Sequence, residues 1–140
     1  MLSGEYKHNL DPKNRIFIPA KHREELGESF VVAKSIREKC LRVYSNEEWA
    51  AYIKPITSLD GKDKDRIIRA LSRNAAQVMP DSQGRIVLTP DLIGYAEITK
   101  NAVIVGCGGY AEIWSDVNYA AMVEDEDLTS MKVLLESVGL

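Results

Sequence analysis

The sequence predicts an α+β protein, mainly β with short α-helices, made by writing one structural unit twice. Three observations carry this reading. Residues 11–18, Asp-Pro-Lys-Asn-Arg-Ile-Phe-Ile, return 70 positions later as Asp81-Ser82-Gln83-Gly84-Arg85-Ile86-Val87-Leu88. The same offset sets Tyr44-Ser45 on Trp114-Ser115 and Trp49 on Tyr119. Within each copy, short β-rich apolar runs lie between turn residues, as buried strands require.

In chain order, Glu5–Leu10 alternates loosely and reads as a strand leading into a turn. Asp11-Pro12-Lys13-Asn14 has turn chemistry, with Asp first, Pro next, and Asn where a positive φ is tolerated. Gly84 fills the Asn14 position in the second copy, which points to left-handed backbone in both. Ile16–Ile18 and Ile86–Leu88 are buried strands. Pro19 starts a short helix that runs to Leu26 and stops at Gly27. Pro90 starts a weaker one ending near Tyr95, with Thr89 standing where the first copy has Pro19. Strands near Ser29–Lys34 and Cys40–Tyr44 are matched by Ala102–Gly106 and Tyr110–Trp114. Ser45 and Ser115 then cap helices whose first turns carry Glu47, Glu48 and Asp116.

Gly61–Ala76 reads as a linking helix. Ile67, Ile68, Leu71 and Ala75 share one face, and Arg66, Arg69 and Arg73 another. For that basic face a solvated surface ranks first, carboxylates of a neighbouring subunit second, DNA third. Leu128, Met131, Leu134, Leu135 and Val138 fall at near-helical spacing, suited to a last helix docking on the body or on another subunit. The expected organisation is a first half-motif at 4–52, a helical linker at 53–76, a second half-motif at 77–121, and an acidic, helical tail at 122–140.

With 140 residues, 45% hydrophobic and 28% charged, the chain suits one compact domain, or two small halves sharing a core. Met1–Glu5 shows no cationic region followed by an apolar run, and no stretch approaches the roughly 20 apolar residues of a membrane span, so a cytoplasmic location is expected. Cys40 and Cys107 lie far apart and outside any Cys-x-x-Cys pattern. They read as small, partly buried apolar residues, with no disulfide or metal site. The net charge of −3 conceals a division: residues 1–100 hold 17 basic and 14 acidic side chains, residues 101–140 one and seven. A mildly basic body with an acidic tail is compatible with nucleic-acid binding. No glycine-rich phosphate loop, zinc-type His/Cys spacing or Gly-x-Ser-x-Gly is present, which argues against an enzyme, a cofactor, a metal or a small-molecule substrate.

The candidate site follows from the first turn. It projects Lys13 and Arg15 near a rigid tip, with Lys7, Lys21 and Arg23 on flanking elements. Arginine pairs bidentately with guanine's major-groove edge or with phosphate, so Arg15 is the candidate for base readout and Arg85 its counterpart. Lys7, Lys13 and Lys21 suit phosphate contacts, which position a protein without reading sequence. Alternatively, each arginine salt-bridges the aspartate of its own turn and only fixes the hairpin. Asp11, Asn14, Asp81 and Gly84 are taken as structural turn residues. His8 either reaches phosphate or fills a strand position, and His22 is expected on a helix surface.

The doubled Asp-x-x-(Gly/Asn)-Arg-Ile-x-(Ile/Leu) element, with Gly4-Glu5-Tyr6 ahead of it, resembles the MraZ family of bacterial transcriptional regulators. Pro19-Ala20-Lys21, Arg23-Glu24, Leu26-Gly27-Glu28 and Phe30-Val31-Val32 extend the likeness. So do Val103-Ile104-Val105-Gly106 and Glu112-Ile113-Trp114-Ser115 in the second copy, and the resemblance covers about Gly4 to Tyr119. It implies two tandem AbrB-like, swapped-hairpin half-motifs in a pseudo-two-fold double-split β-barrel, a ring-shaped homo-oligomer, and binding of double-stranded DNA at repeated boxes. In the family these lie upstream of a division and cell-wall gene cluster that commonly includes the regulator's own gene, which implies a nucleoid-associated protein. Related folds also serve as antitoxins, so a protein-interaction module of antitoxin type is the alternative. Two half-motifs and a short tail favour the regulator.

Overall fold

The computed structural model describes residues 1–140. The first repeat supplies β1 (Glu5–Asn9), β2 (Arg15–Phe17), α1 (Ala20–Leu26), β3 (Phe30–Lys34), β4 (Leu41–Ser45) and α2 (Asn46–Ile53). A 3₁₀ turn (Lys54–Ser58) and α3 (Gly61–Arg73) lead to the second. There β5 (Ala75–Val78), β6 (Arg85–Val87), α4 (Pro90–Ala96), β7 (Asn101–Gly106), β8 (Ala111–Ser115) and α5 (Asp116–Glu124) follow in the same order, and α6 (Leu128–Ser137) comes after them. More residues lie in helices than in strands, so the protein is mixed α+β rather than mainly β. The excess sits largely in α3 and α6, outside the repeated unit.

The strands form two layers. A six-stranded sheet has the order β1-β7-β8-β4-β3-β5, and β2 pairs with β6 in a separate two-stranded ribbon. Every pairing is antiparallel. The first strand of each repeat crosses to the other: β1 pairs with β7 and β5 with β3. Neither repeat can therefore complete its sheet alone. The register is symmetric as well, because Ile16 lies opposite Ile86 in the ribbon and Arg42 opposite Glu112 at the centre of the sheet. Each of these pairs joins residues 70 apart in sequence.

Alternation along the strands decides what is buried. Ile16, Ile18, Ile86 and Leu88 turn inward from the ribbon and join Phe30, Val32, Leu41, Val43, Ile104 and Ile113 in one core. Each such side chain contributes roughly 1.5–3 kcal/mol relative to exposure. On the other face of the sheet Val31, Tyr44, Val103 and Trp114 are buried. There Tyr44 packs edge-on against Trp49 of α2, and Trp114 against Tyr119 of α5.

The capping signals hold, with corrections. Ser45 accepts from the Glu48 N–H at 3.1 Å and Ser115 from the Asn118 N–H at 3.0 Å, and Gly27 ends α1 with φ 91°. Pro19 precedes α1 and offers no side-chain cap, whereas Thr89 accepts from the Leu92 N–H at 3.2 Å. Thr89 thus strengthens the helix start it was expected to weaken, and α4 matches α1 at seven residues each. The linking helix ends at Arg73 rather than Ala76. Ala75 and Ala76 are good helix formers, but pairing with Ala33 and Val32 draws them into β5.

Candidate nucleic-acid interface

The two turns are built alike. In each, the Asp N–H donates to the Arg carbonyl four residues on (Asp11 to Arg15, 2.9 Å; Asp81 to Arg85, 2.8 Å). The returning N–H of Asn14 or Gly84 donates to that Asp carbonyl at 3.0 and 2.9 Å. Both turn residues are left-handed as expected, Asn14 at φ 61° and Gly84 at φ 80°. Each turn is also tied to the opposite repeat: the Ile18 N–H donates to the Gly84 carbonyl and the Leu88 N–H to the Asn14 carbonyl, at 2.9 and 2.8 Å. The two tips are thus fixed relative to one another through the ribbon.

Asp11 and Asp81 orient the arginines. Asp11 accepts from the backbone N–H groups of Lys13 and Arg15 at 2.9 and 2.8 Å, and from Arg15 Nε at 2.7 Å. Asp81 repeats this with Gln83, Arg85 and Arg85 Nε at 2.9, 3.0 and 2.9 Å. The Arg85 N–H, first among these donors, holds the Asp81 carboxyl below its ordinary value. At Asp11 partial desolvation pulls upward, but the donors from Arg15 and Lys13 outweigh it and the carboxyl is again lowered. Arg85 Nη1 also lies 3.9 Å from Asp11, which gathers both guanidinium groups around one carboxylate. The hairpin-fixing role and an outward-facing role coexist here. Nε is occupied by the aspartate, and the terminal amino groups of Arg15 make no hydrogen bond inside the chain.

Arg15, Phe17, Arg85 and Val87 alternate with the buried Ile16 and Ile86, so they occupy the outer face of the ribbon. Val87 is 58% exposed there. Lys13 sits exposed at the first tip and Lys21 exposed on α1. Arg23 donates from Nε to the Ile18 carbonyl at 2.9 Å and covers the Phe17 ring at 5.3 Å. It also lies against the second turn, where a Cβ on Gly84 would come within 2.7 Å of its guanidinium carbon. The Gly84–Arg23 contact had no counterpart among the sequence expectations, since it joins residues from different repeats. In the sequence Phe17 and Val87 carry only a strand signal.

Lys7 is not brought together with these groups. On β1, Tyr6 and His8 turn toward His22 and Phe17, which sends Lys7 to the opposite face. There it lines a groove of about 630 Å³ with Glu5, Tyr119 and Glu124. His8 fills a strand position against Phe17 at 5.1 Å. His22, expected at a helix surface, is only 2% exposed. Its Nε2 meets the Ser3 carbonyl at 2.9 Å and its ring stands edge-on to Tyr6, because the N-terminal segment lies over α1. Cys40 is buried, and Cys107, expected partly buried, is exposed. On α3, Arg66, Arg69 and Arg73 are all exposed, and Arg66 approaches only Asp63, at 3.8 Å.

A family model described as "MraZ protein, putative antitoxin-like" matches residues 1–69 and 71–134. The chain is 37% identical to the Transcriptional regulator MraZ of Halothermothrix orenii, with 100% of both chains covered. It is 39% identical to that of Alkaliphilus oremlandii over 92% of this chain and 91% of the relative. With the protein of the same name from Carboxydothermus hydrogenoformans it shares 43% over 82% and 81%. No helix is long and apolar enough to cross a membrane.

Proposed function

The chain belongs to the MraZ family, and on that footing we propose that it is a transcriptional regulator, not an enzyme, that binds double-stranded DNA with the outer face of the β2–β6 ribbon. The observation that carries this is the pair of arginines held by Asp11 and Asp81. Each is fixed through Nε and its own backbone N–H, and each stands on the outer face of a rigid ribbon. A guanidinium oriented before contact loses little freedom on pairing with a guanine edge or a phosphate. Arg15 reads a base and Arg85 contacts the duplex beside it. Lys13, Lys21 and Arg23 meet phosphates. Lys7, on the far face of the sheet, takes no part.

The sheet-plus-ribbon arrangement and its symmetric register support a double-split barrel of two AbrB-like halves. The targets are repeated boxes ahead of a division and cell-wall gene cluster that includes the regulator's own gene, and the working form is a nucleoid-associated, cytoplasmic homo-oligomeric ring. Linked weak sites along such a ring gain avidity without new contacts. Exposed Leu128 and Leu134 on α6, and Val138 just past its end, supply apolar surface for subunit contacts.

The test is binding of the wild type and Arg15→Ala to a duplex carrying the gene's own upstream region, over a salt series. Salt-sensitive, sequence-selective binding that Arg15→Ala abolishes with the assembly intact is expected. A well-assembled wild type that binds neither that fragment nor random duplex would overturn the reading. A second reading, a protein-interaction module of antitoxin type, is favoured by the family model's description. It requires a small partner protein that co-purifies with the chain.

A further inference from the structure

Because the turns, ribbon strands and first helices of the two repeats align at an offset of 70, each basic residue near the ribbon can be set against its own counterpart. Arg15 and Arg85 match, and each is clamped by an aspartate of its own turn. These pairs contribute equal and opposite charge in both halves, so they do not distinguish them. The remaining positions do. Lys13 is replaced by Gln83, Lys21 by Asp91 and Arg23 by Ile93. At these three positions the first half carries three cations and the second one anion, although α1 and the residues after it also hold Glu24, Glu25 and Glu28.

The structure shows what these differences do locally. Asp91 stands in the first turn of α4, a position favourable for an acid, and pairs with Lys34 at 2.8 Å. Lys21 stands in the first turn of α1, which has no acidic residue and no side-chain cap. A cation there opposes the helix dipole, and neither Lys21 nor Lys13 forms an ion pair within the chain. Residues that break a local rule without internal compensation commonly serve a partner. At the second tip, the cation that lies against Gly84 is Arg23, borrowed from the first repeat.

We infer that the duplicated motif grips DNA unequally: the first repeat, through Lys13, Lys21 and Arg23, supplies the phosphate contacts, and the second adds Arg85 alone. This rests on the DNA-binding reading above. A protomer with unlike halves sits on a duplex in one orientation, although its backbone is nearly two-fold symmetric.

The test uses the full, assembled chain with the upstream fragment and a random duplex of equal length. Affinity is measured against salt for the wild type, Lys13→Gln, Lys21→Asp and Gln83→Ala. Lys13→Gln gives the first tip the second tip's residue and should lower the salt slope by about one per bound protomer. Lys21→Asp should weaken binding further while leaving the thermal midpoint unchanged or raised, because it improves the start of α1. Gln83→Ala should stay within twofold of wild type. The inference is overturned if Gln83→Ala weakens binding as much as Lys13→Gln, or if both lysine variants bind with unchanged affinity and slope. A wild type that binds no duplex overturns the DNA-binding reading itself, and this inference with it.

Discussion

Arg42 of β4 lies directly opposite Glu112 of β8, its own counterpart one repeat later. In a dimer of identical halves, that position would set arginine against arginine. Within one chain the two positions differ and carry opposite charges, with Arg42 Nε 3.7 Å from Glu112 Oε2 and both side chains largely buried. Trp114 Nε1 donates to the other carboxylate oxygen at 3.1 Å, and the Arg42 guanidinium covers the Tyr110 ring at 4.2 Å. Glu112→Gln leaves an uncompensated buried cation and should cost about 3–5 kcal/mol in urea unfolding, whereas removing the cation as well (Arg42→Met with Glu112→Gln, which keeps an acceptor for Trp114 Nε1) should recover most of it. A double variant as unstable as the single one would show that packing, not charge, holds this position.

The same pair separates what is local in the chain from what is not. Turns, caps and inward-facing strand residues are local, so Asn14, Ser45 and Ile16 announce their roles through neighbours in the chain. Crossed pairing is not local: nothing near Ala75 says that it will leave a helix to join β3, or that Arg42 will meet Glu112. The site divides the same way. The Asp11–Arg15 and Asp81–Arg85 clamps span four residues and were legible as one of two alternatives. The orientation of Lys7 away from the ribbon, the burial of His22 under Ser3 and the approach of Arg23 to Gly84 depend on how layers stack. Alternation along β1 could have separated Lys7 from His8, but not said which of them faces the ribbon.

Gly106 offers a test of the N-terminal segment. Its N–H donates to the Gly4 carbonyl at 2.9 Å, and Leu2 bridges to Gly108 just beyond. A Cβ on Gly106 would lie 2.2 Å from the Ser3 nitrogen, a backbone atom. Gly106→Ala should therefore expel residues 1–4 from the sheet edge and destabilise by about 1–3 kcal/mol, as overpacking does. Faster proteolysis near the N-terminus with a lowered midpoint is expected. An unchanged cleavage pattern would show that the strap is not seated in solution.

The aspartate clamps predict a pH dependence with a definite sign. Backbone and side-chain donors from Arg85, led by its N–H, hold Asp81 below 3.8. A carboxyl lowered in the folded state contributes stability that is fully present above its unfolded value and lost as pH falls through the folded one. Both turns should stay locked through the neutral and mildly acidic range and loosen only below it. Carbon-13 titration of the Asp81 carboxyl should give a midpoint under 3.8, moving up toward it in Arg85→Ala. A wild-type midpoint at or above 3.8 would mean that the clamp is open in solution.

Arg15→Lys separates charge from geometry. Lysine keeps the cation, but one ammonium cannot rest on Asp11 and present a planar fork outward. Binding to the upstream fragment should weaken by about 1–3 kcal/mol, with less selectivity at one base position and little change on random duplex. Equal losses on both duplexes would make Arg15 a phosphate contact instead.

Removing α6 tests where its apolar surface is used. No residue of this helix is buried, and Leu128 and Leu134 are 67% and 66% exposed. Such a helix gives its own protomer little stabilisation, so deleting residues 128–140 should change the unfolding free energy by no more than about 0.5 kcal/mol in dilute solution. If α6 joins subunits, the intact chain should show a midpoint that rises with concentration and the truncated one should not. Sedimentation should then report a smaller particle for the truncated chain, with a fold unchanged by circular dichroism. Loss of stability at all concentrations would place the helix against its own body, and an unchanged particle size would move the subunit contact elsewhere on the surface.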